Sequence, residues 1–232
     1  MKLLILTQKV DKNDQVLGFF TQWLQLLAEK FEKVTVFCLE KRIFSLPENV
    51  DVLSLGKDSG ASKLKQLFTF YLLLFSLRRD YDAVFIHMNP TWVVLGGPWW
   101  RLKKKKIFLW YTHKSVTFKL KIAEKIAHRI FTASPESFRL SSKKVAVTGH
   151  GIDTELFRPN YQLSTSDHKL KILSVGRIAP VKNYEVLIDA AKILQDDKIN
   201  FSVTIVGEPI LKEDKNYEKK LKLKIESLNL TD

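Results

Sequence analysis

Short apolar runs alternate with longer amphipathic stretches along most of the chain, and no other feature limits the possible folds as much. The run Leu3-Leu4-Ile5-Leu6 has buried-strand character, and in the stretch 17–31 that follows, Phe20, Leu24, Leu27 and Phe31 recur at helical spacing. The same alternation predicts strands over 34–39, 50–55, 83–86, 107–111, 130–133 and 144–147. Helices are expected over 63–79, 91–102 and 116–128. Ser134, Pro135 and Glu136 supply a cap, a proline for the first helical position and an acid for the first turn, which predicts a helix start. Strands apolar on both faces and joined through helices imply a parallel sheet covered on both sides. The C-terminal strand ends then share one rim, where such folds bind ligands.

The pattern lapses over 148–169, which holds Gly149, Gly151, Pro159 and the polar tract 164–168 ending in His168, and reads as a linker. Beyond it a strand (170–175), a helix (183–194), a strand (201–206) and a charged helix (216–228) form a second βαβ unit. Two strands and two helices bury little core. The expected organisation is therefore α/β, with one complete Rossmann-like domain over 1–160 and the beginning of a second over 161–232.

Composition removes several classes. Hydrophobic residues at 45% and charged residues at 27% exclude wholesale disorder. The one cysteine, Cys38, excludes an intramolecular disulfide and a four-cysteine zinc site; in its apolar run it is expected to be a reduced core thiol, which fits a cytoplasmic protein. The longest apolar stretch, 67–77, is too short to span a bilayer, and 3–6 is too short for a signal peptide. No His/Asp/Glu set has zinc-like spacing and no serine or cysteine sits in a nucleophile motif, so neither a metal nor another cofactor is expected.

The most informative segment is the strand 172–175 with Gly176, Arg177, Lys182 and the helix that follows. A glycine lets a ligand approach the backbone, Arg177 offers a planar fork to phosphate oxygens, and Lys182 adds a compact charge. The helix N-terminus contributes unpaired N–H donors. Together they suit a pyrophosphate, although periodicity alone equally admits two solvated loop charges.

The pattern V-G-R-x4-K, a helix containing Ala190-Ala191 and a strand ending in Val206-Gly207 resembles the retaining glycosyltransferases of family 4, which have the two-domain GT-B fold. Residues 149–159 are similar to that family's interdomain segment, 110–113 to the strand end carrying a histidine, and 131–137 to its strand–serine–helix segment. The resemblance implies retaining transfer of a sugar from a nucleotide-diphosphate sugar, held between two domains, to the hydroxyl of a glycan, lipid or lipid-linked acceptor. It implies that Gly176, Arg177 and Lys182 bind the pyrophosphate, that Gly207 and Glu208 lie near the nucleoside, and that His113 sits catalytically near acceptor and donor sugar. Gly18 matches one glycine of the family's first loop, whose second glycine is missing; Asp14 becomes a candidate partner for the acceptor hydroxyl. His87 ends its strand at the same rim, where acceptor contact and a structural hydrogen bond are both open. Asn183 stands where the family commonly has glycine. The chain stops before the family's donor-sugar acids, and Glu218 with Glu226, despite their spacing, read as a solvated face. These 232 residues are thus expected to be truncated in the donor domain and inactive alone, with a non-catalytic membrane- or partner-binding fragment as the alternative.

Ten of the 38 basic residues and one acid, Glu124, fall within 98–129. Trp99, Trp100, Lys103, Lys104, Lys105 and Lys106 head this block. Tryptophans beside cations suit an anionic membrane surface, each charge adding about 1 kcal/mol. A solvated edge with buried tryptophans, or RNA, would also fit. Peripheral attachment to the cytoplasmic face of a membrane is favoured because family members with lipid acceptors often carry a basic first domain; nucleic acid is not the expected partner.

Overall fold

The computed structural model describes residues 1–158 and 169–230. The chain divides into two compact units, Met1–Asp153 and Thr154–Asp232. The expected boundary at 160, with Pro159 and His168, lies outside the described residues.

The first unit runs β1 (Lys2–Val10), α1 (Phe19–Lys30), β2 (Lys33–Lys41), β3 (Val50–Ser54), α2 (Lys63–Ser76), β4 (Ala83–His87), α3 (Pro90–Leu102), β5 (Lys106–Trp110), α4 (Phe118–Ile126), β6 (Arg129–Thr132) and β7 (Val145–Val147). Its described strands form one parallel sheet in the order β3-β2-β1-β4-β5-β6-β7. The two-residue period of β1 sends Leu3 and Ile5 to one face and Leu4 and Leu6 to the other, and all four are buried. Phe20 and Leu24 of α1 cover the first face. Phe70 and Leu74 of α2, Trp92 and Val93 of α3 and Leu120 of α4 cover the second. Each such side chain contributes roughly 1.5–3 kcal/mol by leaving water, which is why the strands read as unbroken apolar runs.

All five tryptophans belong to this unit. Trp100 corrects the expectation of a membrane-facing residue: it is fully buried, and its indole N–H donates to the Tyr81 hydroxyl at 3.1 Å. Lys105 is corrected likewise, since its ammonium turns inward to the Tyr81 carbonyl and lies over the Tyr81 ring. Cys38 is a buried free thiol whose pKa burial pushes up to about 12, consistent with an inert core residue.

The strong start signal at Ser134 yields only a three-residue 3-10 turn, Pro135–Ser137. The Ser134 hydroxyl meets the Ser137 hydroxyl at 3.0 Å instead of capping a helix. Phe138 is then drawn into the core against the Tyr111 ring, so tertiary packing ends the helix at one turn.

In the second unit β8 (Leu170–Val175) pairs in parallel with β9 (Phe201–Val206), linked through α5 (Tyr184–Asp196) and followed by α6 (Lys212–Ser227). α6 begins four residues earlier than the sequence pattern suggests. Tyr184, Ile188, Tyr217 and Leu221 form its small core. The Tyr217 hydroxyl accepts from the Tyr184 N–H at 2.9 Å and donates to the Glu185 carboxylate, tying the start of α5 to α6. Among the described residues no helix is long and apolar enough to cross a membrane.

Gly96 and Gly97 make room for the tight packing of α3. A Cβ on Gly96 would lie 2.4 Å from the enclosed Trp100 ring. Alanine would gain about 1 kcal/mol of helix propensity but incur an overpacking cost of about 1–3 kcal/mol. Gly96→Ala should therefore lower unfolding stability, by up to about 2 kcal/mol, read from the urea midpoint.

Candidate functional site

Two rims of strand ends carry the residues singled out above. In the second unit, Gly176 follows β8 and Gly207 follows β9. The Gly176 N–H donates to the Val206 carbonyl at 2.9 Å, and the Ile178 N–H to the Glu208 carbonyl at 3.2 Å, so the two loops leave the sheet side by side. They are so close that a Cβ on Gly207 would stand 1.9 Å from the Gly176 carbonyl oxygen, which makes glycine obligatory there.

Lys182 returns to this crossing. A Cβ on Gly176 would meet Lys182 Cε at 3.2 Å, Lys182 Nζ at 3.4 Å and the Tyr184 hydroxyl at 3.4 Å. The ammonium therefore lies beside the backbone that carries Arg177. Tyr184 donates its hydroxyl to the Gly176 carbonyl at 3.1 Å, anchoring the loop to the first turn of α5. Arg177 turns its Nε edge toward the Asp214 carboxylate, 3.6 Å away, with its side chain partly exposed. Asp214 is buried at the start of α6, where it accepts from the Leu211 N–H at 3.0 Å and the Ile210 N–H at 3.3 Å. A carboxylate held by helix-start amides is a firm support for a guanidinium.

Asp214, Tyr184 and Tyr217 are supporting residues that the sequence pattern did not reveal. The signal for Asp214 was an acid three residues after Leu211, hidden because the helix was expected to start at 216. Asn183 adopts the left-handed conformation, φ 50° and ψ 50°, between the 3-10 turn Pro180–Lys182 and α5. Asparagine tolerates this region better than other non-glycine residues, which explains how it stands in for glycine.

In the first unit the sheet order reverses between β1 and β4, so the connections after these strands diverge and leave a crevice. It has a volume of about 360 Å³ and is lined by Gln8, Met88, Pro90, Thr91, Tyr111, His113, Thr117 and Lys119. The first turn of α3 reaches it, with the Asn89 side chain accepting from the Thr91 N–H at 3.1 Å. So does the cap of α4, where Thr117 accepts from the Leu120 N–H at 3.2 Å. Met88 holds φ 63°, a strained value for a side chain of this size, and places its thioether 3.2 Å from the Thr112 hydroxyl.

His113 is exposed on this crevice. Its Nδ1 accepts from the Ser115 N–H at 3.0 Å, which leaves Nε2 as the proton-bearing nitrogen of the neutral ring. The other expected acceptor-side residues are placed differently. His87 is a correction: only 1% exposed, it stacks on Phe20 with centroids 4.2 Å apart and bonds Thr7 Oγ1 through Nδ1 at 3.2 Å. Burial pushes its pKa down to about 4, so it is neutral at pH 7 and supports the rim from within. Asp14 is also corrected, because its oxygens close its own loop. One accepts from the Val16 and Leu17 N–H groups at 2.9 and 2.7 Å, the other from Lys9 at 2.8 Å. The Lys9 ammonium is the main reason its carboxyl titrates below the usual aspartate range. Gln8, not Asp14, lines the crevice. Gly18 caps α1 where a Cβ would lie 2.6 Å from the Asp14 carbonyl oxygen.

The remaining histidines have structural surroundings. His128 accepts the Ile107 N–H on Nδ1 at 3.0 Å, and its pKa is lowered chiefly by burial and then by Arg101. His150 lies edge-on to Trp110 at 6.1 Å. Glu218 pairs with Lys222 at 2.9 Å along α6. Among the described residues no group of three or more His, Cys, Asp or Glu is placed to hold a metal.

Residues 160–232 match the model of the family described as glycosyl transferases group 1, which covers the Arg177/Lys182 loop. The α/β architecture is that of the GT-B fold. Among similar solved structures, Anabaena Alr3699/HepE, determined in complex with UDP, has a TM-score of 0.70 at 18% identity over 99% of this chain and 67% of its own. MurG of Acinetobacter baumannii gives 0.53 at 15% identity over 94% and 69%. The UDP-GlcNAc 2-epimerase of Methanocaldococcus jannaschii gives 0.53 at 14% identity over 96% and 69%. No curated protein matches the chain in sequence.

Two measurements check this geometry. The folded pKa of His87 lies below its ordinary 6.5, so its contribution to stability is complete above pH 6.5 and is lost as pH falls toward 4. The loss amounts to roughly 3 kcal/mol. His87→Phe should flatten the pH dependence of the urea midpoint across that window; an unchanged slope would show that the ring titrates freely. At position 183, glycine should hold stability within about 0.5 kcal/mol and alanine should cost about 1–2 kcal/mol, as the left-handed backbone demands.

Proposed function

We propose that this chain serves retaining transfer of a sugar from a nucleotide-diphosphate sugar to an acceptor hydroxyl, as family 4 glycosyltransferases do. The observation that carries the proposal is that Lys182 lies against Gly176 while Arg177, the next residue, is held by Asp214, both at the glycine crossing and inside the segment matched by the group 1 family model. Bond breaking between the anomeric carbon and phosphate produces an oxocarbenium-like sugar and an anionic diphosphate. Arg177, held by Asp214, and Lys182, lying along Gly176, are cations fixed before the charge develops, so they stabilise the leaving group with little reorganisation. With glycine at 176 and 207, no Cβ at the crossing stands in the way of the phosphates. On this reading no metal is required.

Gly207 and Glu208 would border the nucleoside, and His113 would donate through Nε2 to a sugar hydroxyl. The acceptor would be a glycan, lipid or lipid-linked molecule seated in the crevice lined by Gln8 and His113. The likeness to a UDP-bound structure supports a uridine nucleotide among the candidate donors.

Titration calorimetry with UDP and GDP should give heat with at least one of them, and Arg177→Ala or Lys182→Ala should weaken that binding at least about tenfold. Where turnover is measurable with a nucleotide sugar and an acceptor, each variant should lower it about 10²-fold or more. Indifference to both nucleotides, near-wild-type behaviour of both variants, or sugar epimerisation without acceptor would defeat the proposal.

A further inference from the structure

We infer that α2 is an interfacial anchor that lays its outer face on an anionic lipid bilayer. This inference does not rest on the transfer reading, because α2 contributes no residue to the crevice lining or to the glycine crossing. α2 is apolar on two sides. Phe70 and Leu74 enter the core, while Leu64, Phe68, Leu72 and Phe75 recur at spacings of four, four and three and leave 81, 68, 57 and 42% of their surface in water. A helix of a water-soluble surface seldom exposes four large apolar side chains in one stripe.

The stripe continues across the neighbouring helix. The Phe75 ring meets Trp99 of α3 edge-on with centroids 4.8 Å apart, and the Lys103 ammonium lies 4.9 Å above the Trp99 ring. A shallow groove of about 430 Å³ opens among Phe68, Tyr71, Leu72, Phe75, Ser76 and Arg78.

Charge identifies the occupant. Residues 61–79 contain Lys63, Lys65, Arg78 and Arg79 and no acid, and residues 83–123 contain eight Lys/Arg and no acid. Leucine and phenylalanine in the middle, a tryptophan at the margin and cations at both ends match the order of a bilayer from acyl chains to anionic headgroups. A second copy of this chain fits poorly. Both ends of the stripe are cationic, so pairing in either direction sets like charges against each other. The structure thus moves the membrane contact expected at 99–106 onto α2, retaining Trp99 and Lys103 at its edge.

Sedimentation with vesicles tests this directly. Vesicles of phosphatidylcholine mixed with phosphatidylglycerol should carry the protein down, pure phosphatidylcholine vesicles should not, and added salt should release it. F68S/L72S alters two exposed side chains and should leave the melting temperature unchanged while weakening vesicle binding about tenfold or more. Leu64→Ser, at the most exposed position, should weaken it in the same direction and serves if the double variant fails to fold. Replacing Arg78 and Lys103 by glutamine should weaken binding to the anionic vesicles and reduce its salt dependence. Equal partition of wild type and the serine variants, equal binding to both kinds of vesicle or to neither, or a solution dimer dissolved by F68S/L72S would overturn the inference.

Discussion

The proposed phosphate loop depends on one close approach of backbone to backbone. Where β8 and β9 end, the Gly207 Cα and the Gly176 carbonyl pass without space for a methyl group. That contact brings the two loops together, and everything proposed for Arg177 and Lys182 follows from it. Lys182 lies against Gly176 because no side chain occupies that position, and Arg177 leaves the same peptide toward Asp214. The supports come from three separate places: Tyr184 at the start of α5, Asp214 at the start of α6, and the Tyr217 hydroxyl that joins these helices. A cation on such a frame loses little freedom when it meets an anion, and a transition state rewards that rigidity.

The first unit solves a different problem. Its sheet is covered on both faces, so polar chemistry is displaced to the strand ends, and the reversal between β1 and β4 creates the available crevice. Residues just below that crevice are there to hold it. Neutral His87 packs among Phe19, Phe20 and Trp23, and Asp14 with Lys9 fastens the loop that begins α1. Lys9 also approaches Glu40, which Lys57 bonds at 2.6 Å, so the loop is stitched to the end of β2 by a charge network. Exposed single pairs contribute little, whereas a partly buried network restricts a loop more effectively.

Much of the fold was legible because parallel strands must be apolar on both faces, and runs such as 34–39 and 83–86 have no other stable use. The segment with Gly176, Arg177 and Lys182 was legible for a related reason: glycine and two cations at a strand end have few structural purposes. Orientation was not legible. Trp99 and Trp100 are neighbours in sequence, yet one edges the surface and the other fills the core, a choice made by Tyr81 and Phe70 from distant segments. Position 87 looked like a rim residue until Phe20 and Trp23 closed over it. The cap signal at Ser134 was correct chemistry overridden by the burial of Phe138. Asp214 supports Arg177 across 37 positions of chain, a pairing that no local pattern encodes.

The distribution of indole rings has a practical consequence. Trp23, Trp92, Trp99, Trp100 and Trp110 all lie before residue 111, and the second unit has none. Intrinsic emission excited at the red edge therefore originates only in the seven-stranded unit. The second unit has no indole signal of its own, and a tryptophan introduced beside β9 would give it one.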